Sequence, residues 1–444
     1  MNIIFLTMSH ISGISERGIY TDLMRKFRDE RHEVYIVSPR ERRTGESTHL
    51  YETGGVHVLA VRTLNLQKTN VVEKGIGQVL VETQFKQAIK KHLSNIKVDL
   101  ILYSTPPITF PKVIEYLKLA NPSAKTYLLL KDIFPQNAVD LGMISTTGLK
   151  GMLYKFFRGK EKKLYALSDH IGCMSPANVK YLLEHNPEIT SDRVEVAPNS
   201  VELHLAESAE NADGCLAESV GFCLAENAET ADNCLSDTAK VADGCLAEIT
   251  ETVERDSIRV KYGLPTNVPV FVYGGNLGKP QGISFLIQCL DANANREDCH
   301  FVVVGDGTEY AKLESWYKAK QPKSVSVFRR LPKEDYDQLV RGCDVGLIFL
   351  DYRFTIPNYP SRLLSYLVEK KPIIAATDPN CDTGSIAEAN SYGYWCPSND
   401  VNAFTKCVDR MLASDIKQMG EAGYQFLLNN YTVEHTYNAI MEHF

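Results

Sequence analysis

The sequence predicts an α/β protein of two doubly wound units, each a mostly parallel sheet covered by helices. Three observations predict it. A chain of 444 residues is long for one hydrophobic core and natural for two. Short, nearly continuous apolar runs alternate with amphipathic stretches in both halves, as strands buried on both faces alternate with the helices that cover them. An acidic, repetitive segment separates the two halves.

The first unit opens with Asn2-Ile-Ile-Phe-Leu-Thr-Met8, a strand. It lacks the basic lead and cleavage site of a signal peptide. A polar loop, Ser9–Gly18, leads to a helix over Tyr20–Arg28 and a second strand, His32–Ser38. Glycines stand only at Gly13 and Gly18 of this loop. The dinucleotide fingerprint G-x-G-x-x-G is therefore missing, which argues against a nicotinamide enzyme. A β-rich piece (Val56–Val61) and a helix (Val79–Leu93) follow. Val98–Tyr103 then runs into the turn Ser104–Thr109. Lys125–Leu130 is a further strand, ending in Lys131-Asp-Ile-Phe-Pro-Gln136. Charged residues at the carboxyl end of a parallel strand are where open sheets hold ligands. Asp132 thus reads either as a helix cap or as a carboxylate facing a cleft. Leu149–Leu167 is amphipathic. Leu149, Met152, Leu153, Phe156, Phe157 and Leu164 share one side, among Lys150, Lys155, Arg158, Lys160, Lys162 and Lys163. It reads either as a core helix with a solvated basic face or as a helix lying on an anionic membrane, with Lys155, Phe156, Arg158 and Lys162 in contact.

Residues 205–254 repeat with a period of eleven, broken once by eight, and carry a formal charge of −11. The whole chain carries −7, so the rest is mildly basic at +4, which suits anionic substrates or a phospholipid surface. With few large apolar residues, the repeat reads as a mobile or weakly helical insert. The eleven cysteines form no Cys-x-x-Cys pair, so neither a zinc site nor a disulfide framework is expected. No apolar run approaches the roughly 18 residues of a membrane span.

The second unit begins near Ser257. Its first strand, Val268–Tyr273, ends in Gly274-Gly-Asn-Leu-Gly-Lys-Pro-Gln-Gly282, a loop whose glycines let backbone approach an anion, with Lys279 to neutralise it. His300–Gly307 is the next strand and turn. The strand Val345–Leu350 leads to Pro360-Ser361-Arg362, which opens a helix of about three turns. A helix start with Ser361 as cap and Arg362 as fixed cation is a phosphate site.

These motifs occur in a characteristic order. Lys131–Gln136, Pro198-Asn-Ser200, Tyr273–Gly282, Val303–Gly307, Arg330-Leu-Pro332, Pro360–Arg362 and Lys371-Pro-Ile373 together resemble the family 4 glycosyltransferases. The likeness is to the branch that builds bacterial capsule, O-antigen (lipopolysaccharide) and exopolysaccharide repeat units. The resemblance covers nearly all of the chain outside 205–254. It implies the GT-B fold, two Rossmann-like units facing a cleft. Their divisions would be an acceptor-side domain at 1–202, the insert at 203–256, a nucleotide-sugar domain at 257–428, and a helix at 429–444 crossing back. It also implies transfer with retention, without a bound metal or other cofactor and without a nucleic-acid partner, from a nucleotide sugar (UDP by default) to a lipid-linked, polyprenyl diphosphate, or glycan acceptor. The transferred group would be of hexosyl or N-acetylhexosaminyl type, and the place the cytoplasmic face of the plasma membrane. By match, Gly275, Asn276 and Lys279 line the donor diphosphate, Pro360, Ser361 and Arg362 hold it from the other side, and Asp132 faces the reacting sugar. The chain departs from the family where two glutamates are common: Pro357 and Ser365 stand there, leaving Asp351 or Asn358 as substitutes. A scaffold without activity and a nucleotide-sugar epimerase of the same fold are the alternatives.

Overall fold

The computed structural model describes residues 1–65, 71–106, 108–203 and 250–444, so nearly all of the acidic repeat lies outside the described residues. The side chains of Leu149 and Lys150 also lie outside them. The first unit contains β1 (Asn2–Leu6), α1 (Ile19–Asp29), β2 (Glu33–Glu41), β3 (His49–Thr53), β4 (Val56–Thr63), α2 (Val71–His92), β5 (Leu100–Ser104) and α3 (Pro111–Ala120). It continues with β6 (Lys125–Leu130), α4 (Gln136–Asp140), α5 (Gly148–Leu167), β7 (His170–Cys173), α6 (Pro176–His185) and β8 (Val194–Val196). The sheet order is β3-β4-β2-β1-β5-β6-β7-β8, parallel except for β3. Ile3, Phe5 and Leu100 on one face and Ile4, Leu6 and Ile101 on the other are all buried, as strands covered on both faces must be.

The second unit is entered through a helix over 250–261, α7. It is fastened to the sheet by a buried ion pair of Arg259 with Asp344. Then come β9 (Val270–Asn276), α8 (Ile283–Ala292), β10 (His300–Asp306), α9 (Tyr310–Lys320), β11 (Val325–Phe328), α10 (Lys333–Gly342), β12 (Val345–Phe349) and α11 (Arg362–Val368). β13 (Ile373–Thr377), α12 (Thr383–Ala389), β14 (Gly393–Pro397), α13 (Val401–Leu412), α14 (Ile416–Asn430) and α15 (Val433–Met441) complete it. The sheet order β11-β10-β9-β12-β13-β14 is all parallel and reverses direction between β9 and β12. That switch point opens the crevice in which such sheets hold ligands.

The chain returns to its beginning. Val201 bridges to the Tyr431–Val433 segment through two backbone hydrogen bonds of 2.9 and 3.0 Å. From there α15 packs on α1. Tyr437 stacks edge-on to Phe27 at 5.1 Å and hydrogen-bonds His32, and Ile440 is buried in the first unit's core. The units also meet beside the cleft. Ile133 and Leu141 of the first pack with Leu350, Phe354 and Ile356 of the second. Asp140 accepts from Thr355 N–H at 2.8 Å, and Asp382 accepts from Ala177 N–H at 2.9 Å.

Four expectations change here. α11 has seven residues, about two turns rather than three, and the Ser361 side chain makes no capping hydrogen bond. Asp132 is not a cap, since α4 starts at Gln136 after Pro135. The apolar side of α5 divides: Leu164 is fully buried, whereas Met152, Leu153 and Phe156 are 61, 47 and 50% exposed.

Candidate active site

A cleft of about 1090 Å³ separates the carboxyl ends of the two sheets. From the first unit, Arg17, Asp22, Lys131, Asp132 and Asn137 line it. The second contributes Gly275, Asn276, Asp306, Arg330, Asn358, Pro360, Ser361, Arg362 and Glu369. Asp132, Gly275, Asn276, Pro360, Ser361 and Arg362 are thus brought together. Lys279 is not: it is exposed and takes no part in the cleft wall.

Arg362 owes its position to Tyr366, one helical turn later on the same face of α11. The Tyr366 ring fills the space above Gly346, where an added Cβ would come within 2.3 Å of it. Its hydroxyl donates to Val272 O at 3.1 Å and accepts from Gly274 N–H at 3.2 Å. α11 is thereby docked across the switch point. Arg362 then lies over the Tyr273 ring, 4.5 Å from its centroid, a favourable cation–π geometry. Its Nη1 is shielded from water and has no hydrogen-bond partner among the described residues. Beside it, Gly275 adopts φ +118°, a region that side chains disfavour. A Cβ there would lie 3.6 Å from Arg362 Nη2. The neighbouring Gly305 is required by space, since a Cβ would sit 1.9 Å from Gly275 O. Gln281 Oε1 closes the loop by accepting from Asn276 Nδ2 at 3.0 Å and Gly278 N–H at 3.2 Å. Bare backbone beside an unpaired guanidinium is a seat for an oxyanion. The seat rests on the arginine fork, not on a capped helix start.

Opposite stands Asp132. Asn137 Nδ2 donates to both of its carboxylate oxygens at 2.9 Å, and Thr105 Oγ1 accepts the Asp132 and Lys131 N–H groups at 3.4 and 3.0 Å. Burial raises the Asp132 carboxyl to about 6, against the lowering effect of Asn137 and the Ile133 N–H; Glu161 adds a small push upward. Burial lowers the neighbouring Lys131 amine to about 7. Its Nζ donates to Ala197 O at 3.3 Å. An acid and a base whose environments bring both toward neutrality suit proton handling.

Lys155, Phe156, Arg158 and Lys162 take no part in the cleft wall. Arg158 pairs with Glu161 and donates to Asn186 Oδ1 at 2.7 Å. Lys160 pairs with Glu82, Lys162 with Glu188 and Lys163 with Glu115 at 2.9, 3.2 and 2.7 Å. Most of the basic face is therefore neutralised, Arg158 by Glu161 of α5 itself and three lysines by carboxylates from other segments. The exposed part is apolar. Phe156 continues through Phe157 to Phe134, which follows the Asp132 strand end, with ring centroids 5.4 and 5.1 Å apart. Among the described residues no helix is long and apolar enough to cross a membrane. Nor are three or more His, Cys, Asp or Glu side chains grouped to hold a metal. Sequence reading missed Arg17, Asn137 and Glu369 as cleft residues; Lys131 and Arg330 were seen only as parts of motifs.

Residues 254–426 match the family model described as glycosyl transferases group 1. Over these residues the chain is similar to the group 1 glycosyltransferases. WbjE of Pseudomonas aeruginosa, described as a glycosyltransferase, is 21% identical over 82% of this chain and 78% of its own length. WcaI of Escherichia coli, described as a colanic acid biosynthesis glycosyl transferase, is 32% identical over 30% of this chain and 32% of its own. Among solved structures, Anabaena HepE in complex with UDP superposes with a TM-score of 0.63 at 13% identity, covering 100% of this chain and 99% of that one. The fold of this glycosyltransferase is GT-B, as the motif order implies.

Proposed function

We propose that this glycosyltransferase moves a hexosyl or N-acetylhexosaminyl group, with retention, from a UDP-sugar to a lipid-linked acceptor during surface polysaccharide assembly. The observation that carries the reading is the unpaired Arg362 Nη1 beside Gly275, across one cleft from Asp132. Breaking the bond between the sugar's anomeric carbon and the diphosphate leaves an extra negative charge on the leaving group. Fixed donors already in place stabilise such charge, usually the largest catalytic contribution. In this reading Arg362, Gly275, Asn276, Pro360 and Ser361 surround the diphosphate, and Asp132 contacts the sugar or the acceptor hydroxyl. No metal and no other cofactor is given a role. UDP as the carrier is supported by the HepE complex, and polysaccharide assembly by the description of WcaI. Purified protein should transfer radiolabel from a UDP-sugar to an organic-extractable product of bacterial membranes. Neither transfer nor hydrolysis from any UDP- or GDP-sugar would favour a scaffold instead, and conversion of the free nucleotide sugar an epimerase.

In this proposal the exposed face of α5 rests on the cytoplasmic side of the membrane that holds the lipid-linked acceptor. The ion pairs made by its cations change how this contact should respond to salt. Met152, Leu153 and Phe156 supply an apolar surface, with Lys155 at its side. Replacing Phe156 by Asp should remove most co-sedimentation with phospholipid vesicles, and wild-type binding should persist at about 1 M salt, where exposed charges are screened. Binding lost in salt but kept in the variant would return the contact to the cations.

A further inference from the structure

Besides Arg362, two other residues of the cleft wall carry a side-chain atom that is shielded from water and lacks a partner among the described residues. They are Asn358 Nδ2, a donor, and Asn137 Oδ1, an acceptor. Leaving a buried polar atom unpaired is costly, so such atoms mark places where a ligand completes the hydrogen bonds. Both asparagines are held in place. The Pro357 carbonyl accepts from Asn178 Nδ2 at 2.7 Å, and the Asn358 carbonyl from Cys381 Sγ at 3.0 Å, so the peptide on each side of Asn358 is fixed. Asn137 uses its Nδ2 on Asp132, which leaves Oδ1 free. The two come from opposite units, yet their segments are fastened together. Asp140, three residues after Asn137 on α4, receives both the N–H and the hydroxyl of Thr355, three residues before Asn358, at 2.8 to 3.0 Å.

We propose that Asn137 and Asn358 form the subsite for the transferred sugar and select a neutral ring. A sugar hydroxyl is both donor and acceptor, so neighbouring hydroxyls can donate to Asn137 Oδ1 and accept from Asn358 Nδ2. A carboxylate on the sugar would face the acceptor oxygen of Asn137 and the charge of Asp132, like against like. This inference rests on the reading that the cleft holds a nucleotide sugar, and the experiment separates the two.

Calorimetric titration of UDP, UDP-glucose, UDP-N-acetylglucosamine, UDP-galactose and UDP-glucuronate against wild type, Asn358→Ala, Asn358→Asp and Asn137→Ala measures what the sugar adds. Each variant should bind UDP within about twofold of wild type, which also reports a folded cleft. Each should lose about 10-fold in affinity for the preferred UDP-sugar, the scale of one buried hydrogen bond. UDP-glucuronate should bind wild type more weakly than the neutral sugars do. An unchanged contribution from the sugar in all three variants, or a preference for UDP-glucuronate, overturns the subsite and leaves the donor reading intact. Failure of wild type to bind any of these ligands overturns both.

Discussion

Arg362→Ala is expected to weaken UDP binding by about 10²-fold, as removal of a charge-assisted, partly desolvated donor should. The effect on turnover should be at least as large, because charge on the diphosphate grows as the bond to the sugar breaks. The fold should survive. Arg362 makes no ion pair with a described residue, its Nη1 has no partner, and α11 is anchored by Tyr366 and the buried Leu363 and Leu367. Lysine should restore binding only in part, since a point charge cannot reproduce the planar fork resting on Tyr273. Calorimetry with UDP, beside a thermal melt, checks this; unchanged affinity would remove Arg362 from the site.

Asp132→Asn is expected to lower turnover by about 10²- to 10⁴-fold, the range for a side chain that handles a proton in the transition state. Wild-type turnover should rise as the Asp132 carboxyl ionises near 6 and fall as Lys131 loses its proton near 7, a narrow bell. In the variant the acidic limb should vanish and the alkaline limb remain. Stability should move the other way. The folded carboxyl titrates near 6, above the roughly 3.9 of an unfolded aspartate, so the folded state binds the proton more tightly. What this group contributes to stability is therefore greatest below about pH 4 and is lost as pH rises through 6. At pH 7.5 the neutral asparagine should melt higher than the wild type. A variant with full turnover and an unchanged pH profile would deny Asp132 any part in the chemistry.

The sheets were legible because their strands are covered on both faces. Runs such as Val345–Phe349 and Ile373–Ala376 are apolar throughout and end in loops rich in glycine, serine or charge. The Gly274–Gly282 loop and Arg362 were legible for the same reason, since backbone access and a fixed cation are local properties. What escaped notice depends on contacts between distant segments. The cations of α5 read as a basic face because Glu82, Glu115 and Glu188, which neutralise three of them, lie far away in sequence. Lys279 read as an anion ligand because spacing does not say which way a lysine leaves a loop. Ser361 read as a cap because it precedes a helix, but its backbone is already helical at φ −64° and ψ −20°, unlike the extended backbone usual at a capping residue. Asn137 carries no signal of its own. Its importance comes from Asp132, five residues earlier, and from the Asp140–Thr355 contact that joins the two units.

A crystal structure of the protein with UDP-glucose or another UDP-sugar tests the central claim most directly. The diphosphate should lie within hydrogen-bond distance of Arg362 Nη1 and against the backbone of Gly275, with the sugar turned toward Asp132. A nucleotide bound elsewhere, with Arg362 still unpartnered, would contradict the account.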